Sequence, residues 1–162
     1  MEIKWTPWRR SYIKGETKSD ACPFCEAAQG DDDAASLVLH RGEHCFVIMN
    51  LFPYNPGHLL IIPYLHAGDL EALPAATAAE IMHLTQRTLG VLRQALKPHS
   101  FNLGMNLGSS AGAGIPDHLH FHILPRWSGD TNFMPLIAGT KLIPEAMDDT
   151  YAALKPLFAH DP

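Results

Sequence analysis

The chain has 162 residues, of which 46% are hydrophobic and 18% are charged, so it can form one domain with a substantial core. Its 12 basic and 17 acidic residues give a net charge of −5, which argues against a general nucleic-acid binder but not against a small phosphate ester. The sequence shows neither a signal peptide nor an apolar run of membrane-spanning length, and its three cysteines do not indicate a disulfide framework. We therefore expect a cytoplasmic protein with no membrane partner.

An aromatic arm is predicted at the start of the chain. Residues 1–20 contain Trp5 and Trp8 but show no clear period. The two tryptophans suggest that the arm packs on another surface, such as a second subunit. We assign the remaining residues, 21–162, to a single domain.

A cysteine pair opens this domain. Cys22 and Cys25 supply two thiols at a spacing that suits tetrahedral zinc. An incidental turn and a redox pair are the alternatives at this point.

Apolar periodicity predicts five strands and two helices. A capping box at Thr77–Glu80 precedes a long helix predicted from Thr77 to Lys97, and Pro98 ends it. The predicted strands are 37–40, 45–49, 59–62, 101–107 and 118–124, and a short C-terminal helix is predicted over 145–158. Because the strands are mostly neighbours in sequence, we predict an α+β fold, in which an antiparallel sheet of about five strands carries helices on one face.

Three histidines occupy alternate positions of the last predicted strand: His118, His120 and His122. Period two places all three imidazoles on one face, and the apolar residues between them pack the other. An exposed, His-rich strand is the alternative. Metal ligation and nucleophilic or acid–base chemistry both suit such a row, because neutral imidazole serves each of them.

A loop of small residues, 108–114, leads directly into the histidines. Its backbone N–H groups can form a nest for an anion, because glycines let a phosphate approach closely. Ser109, Ser110, Gly112 and Gly114 are therefore candidate phosphate-binding residues.

These motifs resemble those of a known superfamily. The run 118–124 resembles the motif of the histidine triad (HIT) nucleotide hydrolases and transferases, and the segment 50–63 looks like their nucleotide-binding segment. With residues 106–112, 125–133 and the N-terminal Trp5-Thr6-Pro7-Trp8-Arg9, the chain is similar to the diadenosine tetraphosphate phosphorylase branch.

The resemblance implies a fold and a chemistry. It implies a HIT-like fold and cleavage of a nucleotide phosphoanhydride, with His120 attacking the α-phosphorus and His122 orienting the reaction. A covalent nucleotidyl-histidine then passes its nucleotide to phosphate or water. Asn50 is expected at the ribose, and His58 and Asn106 beside the phosphates. A two-fold dimer or a higher homo-oligomer is also implied.

The resemblance also implies a structural zinc. Some superfamily members hold zinc through a CxxC pair, a histidine after the nucleotide segment and the first triad histidine. The matching ligands here are Cys22, Cys25, His66 and His118.

Two departures leave the reaction open. Ile115 stands where many triad hydrolases carry Ser or Thr, and Ala113-Gly114 replaces the Gly-Ser-like pair expected of a phosphorylase. The overall resemblance favours phosphate as the acceptor, whereas the loop favours water. A nucleoside phosphoramidate hydrolase or nucleotidyl transferase, and a nucleotide-binding protein without turnover, are the alternative functions.

Overall fold

A computed structural model describes residues 21–130 and 145–159 of the chain. The predicted arm, residues 1–20, lies outside the described residues. The described part contains a five-stranded sheet in the order β1-β2-β3-β5-β4, in which every neighbouring pair is antiparallel. The strands are β1 (Val38–Arg41), β2 (Cys45–Met49), β3 (Leu59–Pro63), β4 (Ser100–Gly104) and β5 (Phe121–Arg126). The predicted α+β fold is confirmed.

Four α-helices accompany the sheet in the described part: α1 (Pro23–Gln29), α2 (Asp33–Ser36), α3 (Ala75–Leu96) and α4 (Met147–Leu154). Short 3₁₀ turns occur at Leu70–Ala72, Ser109–Ala111 and Lys155–Phe158. The predicted C-terminal helix is therefore α4 continued by a 3₁₀ turn. None of the described helices has the length and apolar character needed to cross a membrane.

The sheet buries both of its faces. On one face, Ile61 of β3 packs in a cluster with Leu84 and Leu92 of α3. On the other face, the next residue, Ile62, packs in a cluster with Phe24 of α1. The two predicted helices, α3 and α4, pack on the same face, as expected. Helix α1, which was not predicted, covers the other face, because β2 and β3 are apolar at consecutive positions and both faces need cover.

The predicted capping box is also wrong, although the long helix exists. Helix α3 begins at Ala75, so Thr77 is buried inside it. The Glu80 carboxylate accepts hydrogen bonds from the backbone N–H groups of Glu43 and His44, at 2.8 and 2.6 Å. Glu80 therefore ties the β1–β2 turn to the helix instead of capping the helix.

The strand that carries the histidines is shorter than predicted. Because β5 begins at Phe121, only His122 of the three lies within it. Before β5, the N–H of Leu119 donates to the carbonyl oxygen of Ala67 at 2.7 Å, and not to a sheet neighbour. Strand β4 likewise ends at Gly104 and not at position 107.

Candidate active site and metal centre

The four predicted metal ligands meet in space. One ligand atom from each lies within 4.8 Å of the others. The Nδ1 atom of His118 is 3.3 Å from Cys22 Sγ and 3.6 Å from Cys25 Sγ, and His66 Nδ1 is 3.3 Å from Cys25 Sγ. Two thiols and two imidazoles thus form a candidate metal site.

Local structure explains why these ligands converge. Cys22 is the N-cap of α1 and Cys25 lies in its first turn, so both thiols stand at the same end of the helix. His66 follows β3 and reaches His118 because the two chain segments approach closely there. A Cβ atom at Gly68 would lie only 2.6 Å from the carbonyl oxygen of Pro116, so this approach requires glycine.

Hydrogen bonds to carbonyl groups assign the tautomers of two triad histidines. His118 Nε2 lies 2.9 Å from the carbonyl oxygen of Pro63, which can only accept, so the proton is on Nε2 and the lone pair on Nδ1 faces the thiols. His120 Nδ1 lies 2.9 Å from the carbonyl oxygen of His118. By the same reasoning His120 carries its proton on Nδ1 and its lone pair on Nε2.

A chain of hydrogen bonds assigns the third histidine. Asn50 Oδ1 accepts from the Phe52 N–H at 2.9 Å, so the amide nitrogen of Asn50 is the end that faces the His58 ring. His58 Nδ1 accepts from the Tyr54 N–H at 3.1 Å, which leaves the proton on Nε2. This proton is donated to His122 Nδ1 at 2.9 Å. The proton of neutral His122 is therefore on Nε2.

The Nε2 atom of His122 is buried and has no hydrogen-bond partner among residues 21–130 and 145–159. A buried, unsatisfied donor costs about 1–3 kcal/mol, so this N–H is available to an acceptor oxygen that reaches it. The rings of His120 and His122 have their centroids 5.0 Å apart. The pair therefore offers a nucleophilic lone pair and an N–H donor side by side.

Burial keeps the triad neutral. Loss of hydration lowers the pKa of His118, His120 and His122, and the pKa of His122 falls to about 4, with a smaller contribution from His120. The Phe24 ring of α1 covers the row, with its centroid 5.5 Å from His118 and 5.1 Å from His120. At pH 7 the lone pairs of the three imidazoles are not protonated.

The predicted phosphate loop lies at the surface. Ser109, Ser110, Gly112 and Gly114 are exposed, and Asn106 is half-buried. The left-handed φ of +91° at Gly112 requires glycine. The backbone amides at positions 111–113 already donate to carbonyl groups within the loop, so they do not form the expected anion nest. The role of this loop in substrate binding stays a prediction.

Sequence reasoning did not find several residues of the site. Phe24 covers the histidines, and the backbone of Tyr54 holds His58. Asn55 and Asp130 are hydrogen-bonded to each other beside them. All four lie in segments already singled out, because Phe24 stands between the two cysteines, Tyr54 and Asn55 share a turn rich in Pro and Gly, and Asp130 lies within 125–133. Nothing in those motifs assigns a role to these four residues.

Comparison with known proteins places these features in a family context. Residues 32–129 match the HIT domain family. A Mycobacterium tuberculosis protein named AP-4-A phosphorylase is 41% identical over 170 residues, covering 100% of this chain and 87% of the relative. A Schizosaccharomyces pombe protein named adenosine 5'-monophosphoramidase hnt1 is 30% identical, covering 65% of this chain and 74% of the relative.

A solved structure shows the same fold with a metal. The crystal structure of a Zn-bound histidine triad family protein from Mycobacterium smegmatis superposes with a TM-score of 0.70 at 26% identity. The match covers 88% of this chain and 96% of the other.

We predict that the free energy of unfolding decreases as the pH falls from about 6.5 to about 4. Unfolded His122 takes up a proton near its ordinary pKa of 6.5, whereas the folded residue resists protonation until about 4, so acid favours the unfolded state in this window. Urea denaturation at several pH values, compared with His122→Gln, measures the effect, which should be smaller in the variant. A folded-state ¹⁵N titration of the His122 ring near pH 6.5 would contradict it.

Proposed function

The chain belongs to the HIT domain family, and on that premise we propose that it is an enzyme that cleaves dinucleoside polyphosphates such as diadenosine tetraphosphate. The proposal rests chiefly on the lone pair of His120 Nε2 beside the unpartnered N–H of His122 Nε2. The relative named AP-4-A phosphorylase supports the choice of substrate.

In the first step, His120 Nε2 attacks the α-phosphorus of the substrate. The N–P bond forms while the P–O bond to the polyphosphate breaks, so ATP leaves diadenosine tetraphosphate and AMP stays on the histidine. The ring becomes positively charged, and the His118 carbonyl oxygen, which accepts the Nδ1 proton at 2.9 Å, stabilises that charge. An acceptor oxygen then attacks the phosphorus and restores neutral His120.

Charge on the non-bridging oxygens of the phosphorus needs a positioned donor. The buried Nε2–H of His122 supplies one in a low-dielectric setting, where it has most effect. Both ring nitrogens of His58 are engaged, by Tyr54 and by His122. We therefore assign His58 to the orientation of His122 and not to direct contact with phosphate.

Other residues are assigned to binding. Asn50, at the end of β2, is assigned to the ribose. The phosphates beyond the reacting one are assigned to the exposed loop and the residue shortly before it. The residues are Asn106, Ser109, Ser110, Gly112 and Gly114.

We propose phosphate as the second acceptor. An anion that attacks an anionic adduct needs several donors to offset repulsion. Gly114 lacks the hydroxyl expected at its position, so we assign the exposed hydroxyls of Ser109 and Ser110 as the side-chain donors to the acceptor phosphate. The name of the M. tuberculosis relative supports phosphorolysis.

We propose that the metal is a structural zinc. With Zn–S bonds of about 2.3 Å and Zn–N bonds of about 2.0–2.1 Å, a tetrahedral site separates sulfur from nitrogen by about 3.6 Å. The observed distances of 3.3–3.6 Å fit this requirement. Burial, together with the neighbouring Cys22 thiol, raises the pKa of the Cys25 thiol in the metal-free protein, so a cation is needed to hold two thiolates together. The Zn-bound M. smegmatis structure also supports zinc.

One observation favours a second activity. The relative named adenosine 5'-monophosphoramidase suggests a phosphoramidate as substrate, since attack by His120 would break a P–N bond in the same way. Turnover of adenosine phosphoramidate without turnover of diadenosine tetraphosphate would establish this activity in place of the first.

His120→Ala should lower turnover by about 10³-fold or more, because no other nucleophile replaces the imidazole, while nucleotide binding persists. Single-turnover assays with radiolabelled diadenosine tetraphosphate measure both, and a rapid quench should trap an acid-labile, base-stable adduct on His120. His83→Ala, an exposed change on α3, is the control. A near-normal rate in His120→Ala would refute the assignment, and binding without products in the unchanged protein would indicate a non-catalytic nucleotide binder.

Excess phosphate should give ATP with ADP from diadenosine tetraphosphate. The Ser109→Ala/Ser110→Ala variant should lower the ADP fraction by about tenfold, because it removes the two hydroxyls assigned to phosphate. Ser128→Ala, an exposed serine outside the loop, should leave it unchanged. ATP with AMP, at a rate indifferent to phosphate, would show that water is the acceptor; Gly114→Ser with Ala113→Gly should then raise the ADP fraction.

Protein purified without chelator should contain about one zinc per chain. Cys25→Ser should lose the metal and unfold at a lower temperature, since bound metal stabilises only the folded state. Elemental analysis and calorimetry measure these effects. Cys45→Ala, which removes the buried cysteine outside the cluster, should keep its zinc. An equally low zinc content in the unchanged protein, Cys25→Ser and Cys45→Ala would exclude the site.

We also propose a two-fold dimer in the cytoplasm. The edge strand β4 exposes Leu103, and Leu107 is exposed just beyond it, at 45% and 42% of their surfaces. Sedimentation velocity at micromolar concentration should show a dimer that Leu103→Lys weakens; a clean monomer in the unchanged protein would contradict this.

A further inference from the structure

We propose that the hydrogen-bonded pair of buried Asn55 and partly buried Asp130 is a positioning device that keeps His122 in the tautomer with its proton on Nε2. This inference rests on the proposed function, in which that proton faces a phosphate oxygen. Neither Asn55 nor Asp130 belongs to the triad, to the metal cluster or to the exposed loop.

Asn55 joins the turn before His58 to the far end of β5. It is only 2% exposed. Its amide nitrogen donates to the carbonyl oxygen of Pro125 and to Asp130 Oδ2, both at 2.9 Å. Each amide proton therefore points at an acceptor, so rotation of the side chain would break one buried and one partly buried hydrogen bond.

Asp130 is a rigid acceptor for this amide. Arg126 donates to both of its oxygens, at 2.7 and 2.9 Å, and the Trp127 N–H donates at 3.1 Å. The hydrogen bonds from Arg126 are the main reason that the pKa of Asp130 is well below its usual range, and those from Trp127 and Asn55 add to the effect. The carboxylate therefore stays ionised. Arg126 also donates to Asn102 Oδ1 on β4 at 2.7 Å. The acceptor is thus fixed to two strands of the sheet.

The turn transmits this position to His58. The carbonyl oxygen of Asn55 accepts from the His58 N–H at 3.2 Å, and the preceding residue, Tyr54, directs its own N–H at His58 Nδ1. Gly57 has a φ of +69°, and a Cβ atom there would lie 2.5 Å from Leu96 Cδ1, so the turn is pressed against α3. Because Tyr54 is joined directly to Asn55, fixing the Asn55 side chain also restricts the direction of the Tyr54 N–H.

The Tyr54 N–H, at 3.1 Å from His58 Nδ1, is the nearer of the two donors that set which nitrogen of His122 bears the proton; the Asn50 amide nitrogen, at 3.3 Å, is the other. While Tyr54 donates to Nδ1 of His58, the proton of His58 is on Nε2 and is donated to His122 Nδ1. If the Tyr54 N–H turned away, only the more distant Asn50 amide would oppose a proton on His58 Nδ1, and the tautomer in which His58 Nε2 accepts from His122 Nδ1 would gain population. A lone pair of His122 Nε2 would then face the phosphate oxygen, and donation would become repulsion.

The test uses Asn55→Asp and Asn55→Ala in the full chain. Asn55→Asp keeps the shape but places a carboxyl against the Asp130 carboxylate, whereas Asn55→Ala removes the amide without adding charge, so an effect common to both variants is due to the lost hydrogen bonds. We expect long-range ¹H–¹⁵N spectra of the substrate-free protein to show His122 moving from the Nε2–H towards the Nδ1–H tautomer in both variants. With diadenosine tetraphosphate, kcat should fall by about 10–100-fold, as for supporting hydrogen bonds elsewhere, with KM changed less than about threefold.

Lys155→Met is the matched control. It removes an ion pair to Asp33 and a hydrogen bond to the Val38 carbonyl oxygen near the opposite edge strand, β1. It should lower the melting temperature without changing kcat or the His122 tautomer. Asp130→Asn, which keeps the shape and weakens the acceptor, replaces either Asn55 variant that fails to fold.

The His122 spectrum and the kinetics answer separate questions. An unchanged His122 tautomer in the variants would overturn the inference, whatever the substrate is, because the spectrum is recorded without substrate. A shifted tautomer with unchanged kcat would overturn its catalytic part. If the unchanged protein does not turn over diadenosine tetraphosphate, the proposed function fails, and the tautomer result still decides whether Asn55 positions His122.

Discussion

The hydrogen bond from His120 Nδ1 to the carbonyl oxygen of His118 is the interaction on which the site depends. A neutral imidazole has one proton and one lone pair, so fixing the proton on Nδ1 fixes the nucleophilic lone pair on Nε2. The residue that supplies this carbonyl also turns its own Nδ1 towards the two thiols and donates from Nε2 to Pro63. The proposed nucleophile and the candidate metal site therefore both depend on His118, and neither can be displaced without disturbing the other.

Burial of the triad histidines favours their proposed chemistry but lowers the stability of the fold. It lowers the pKa of all three triad histidines, which preserves the lone pairs at neutral pH. It also leaves the Nε2–H of His122 without a partner in the described part of the chain, at a cost of about 1–3 kcal/mol. A bound phosphate oxygen would satisfy that donor. Under the proposed function, substrate binding would remove this local cost, as is common where function competes with stability.

The sequence allowed the sheet, the long helix and the four clustered ligands to be predicted, because periodicity and ligand spacing are local or carried by a family motif. The start of β5 could not be predicted, since it depends on the hydrogen bond between Leu119 and Ala67, far apart in sequence. The capping box was wrong because Glu80 found two backbone donors in another turn. The histidine tautomers could not be predicted either, because they depend on backbone carbonyl and N–H groups, which every residue type except proline provides alike.

The position of α1 explains why the candidate metal site and the proposed nucleophile lie close together. This helix has seven residues, too few to be stable alone, and Phe24 is its one buried side chain. Phe24 also covers His118 and His120 on the face of the sheet opposite α3. In the zinc-bound protein that we propose, the thiols at the start of α1 fasten it to His66 and His118. The metal then holds in place the ring that shields the nucleophile from water, so a structural ion contributes to the chemistry without touching the substrate.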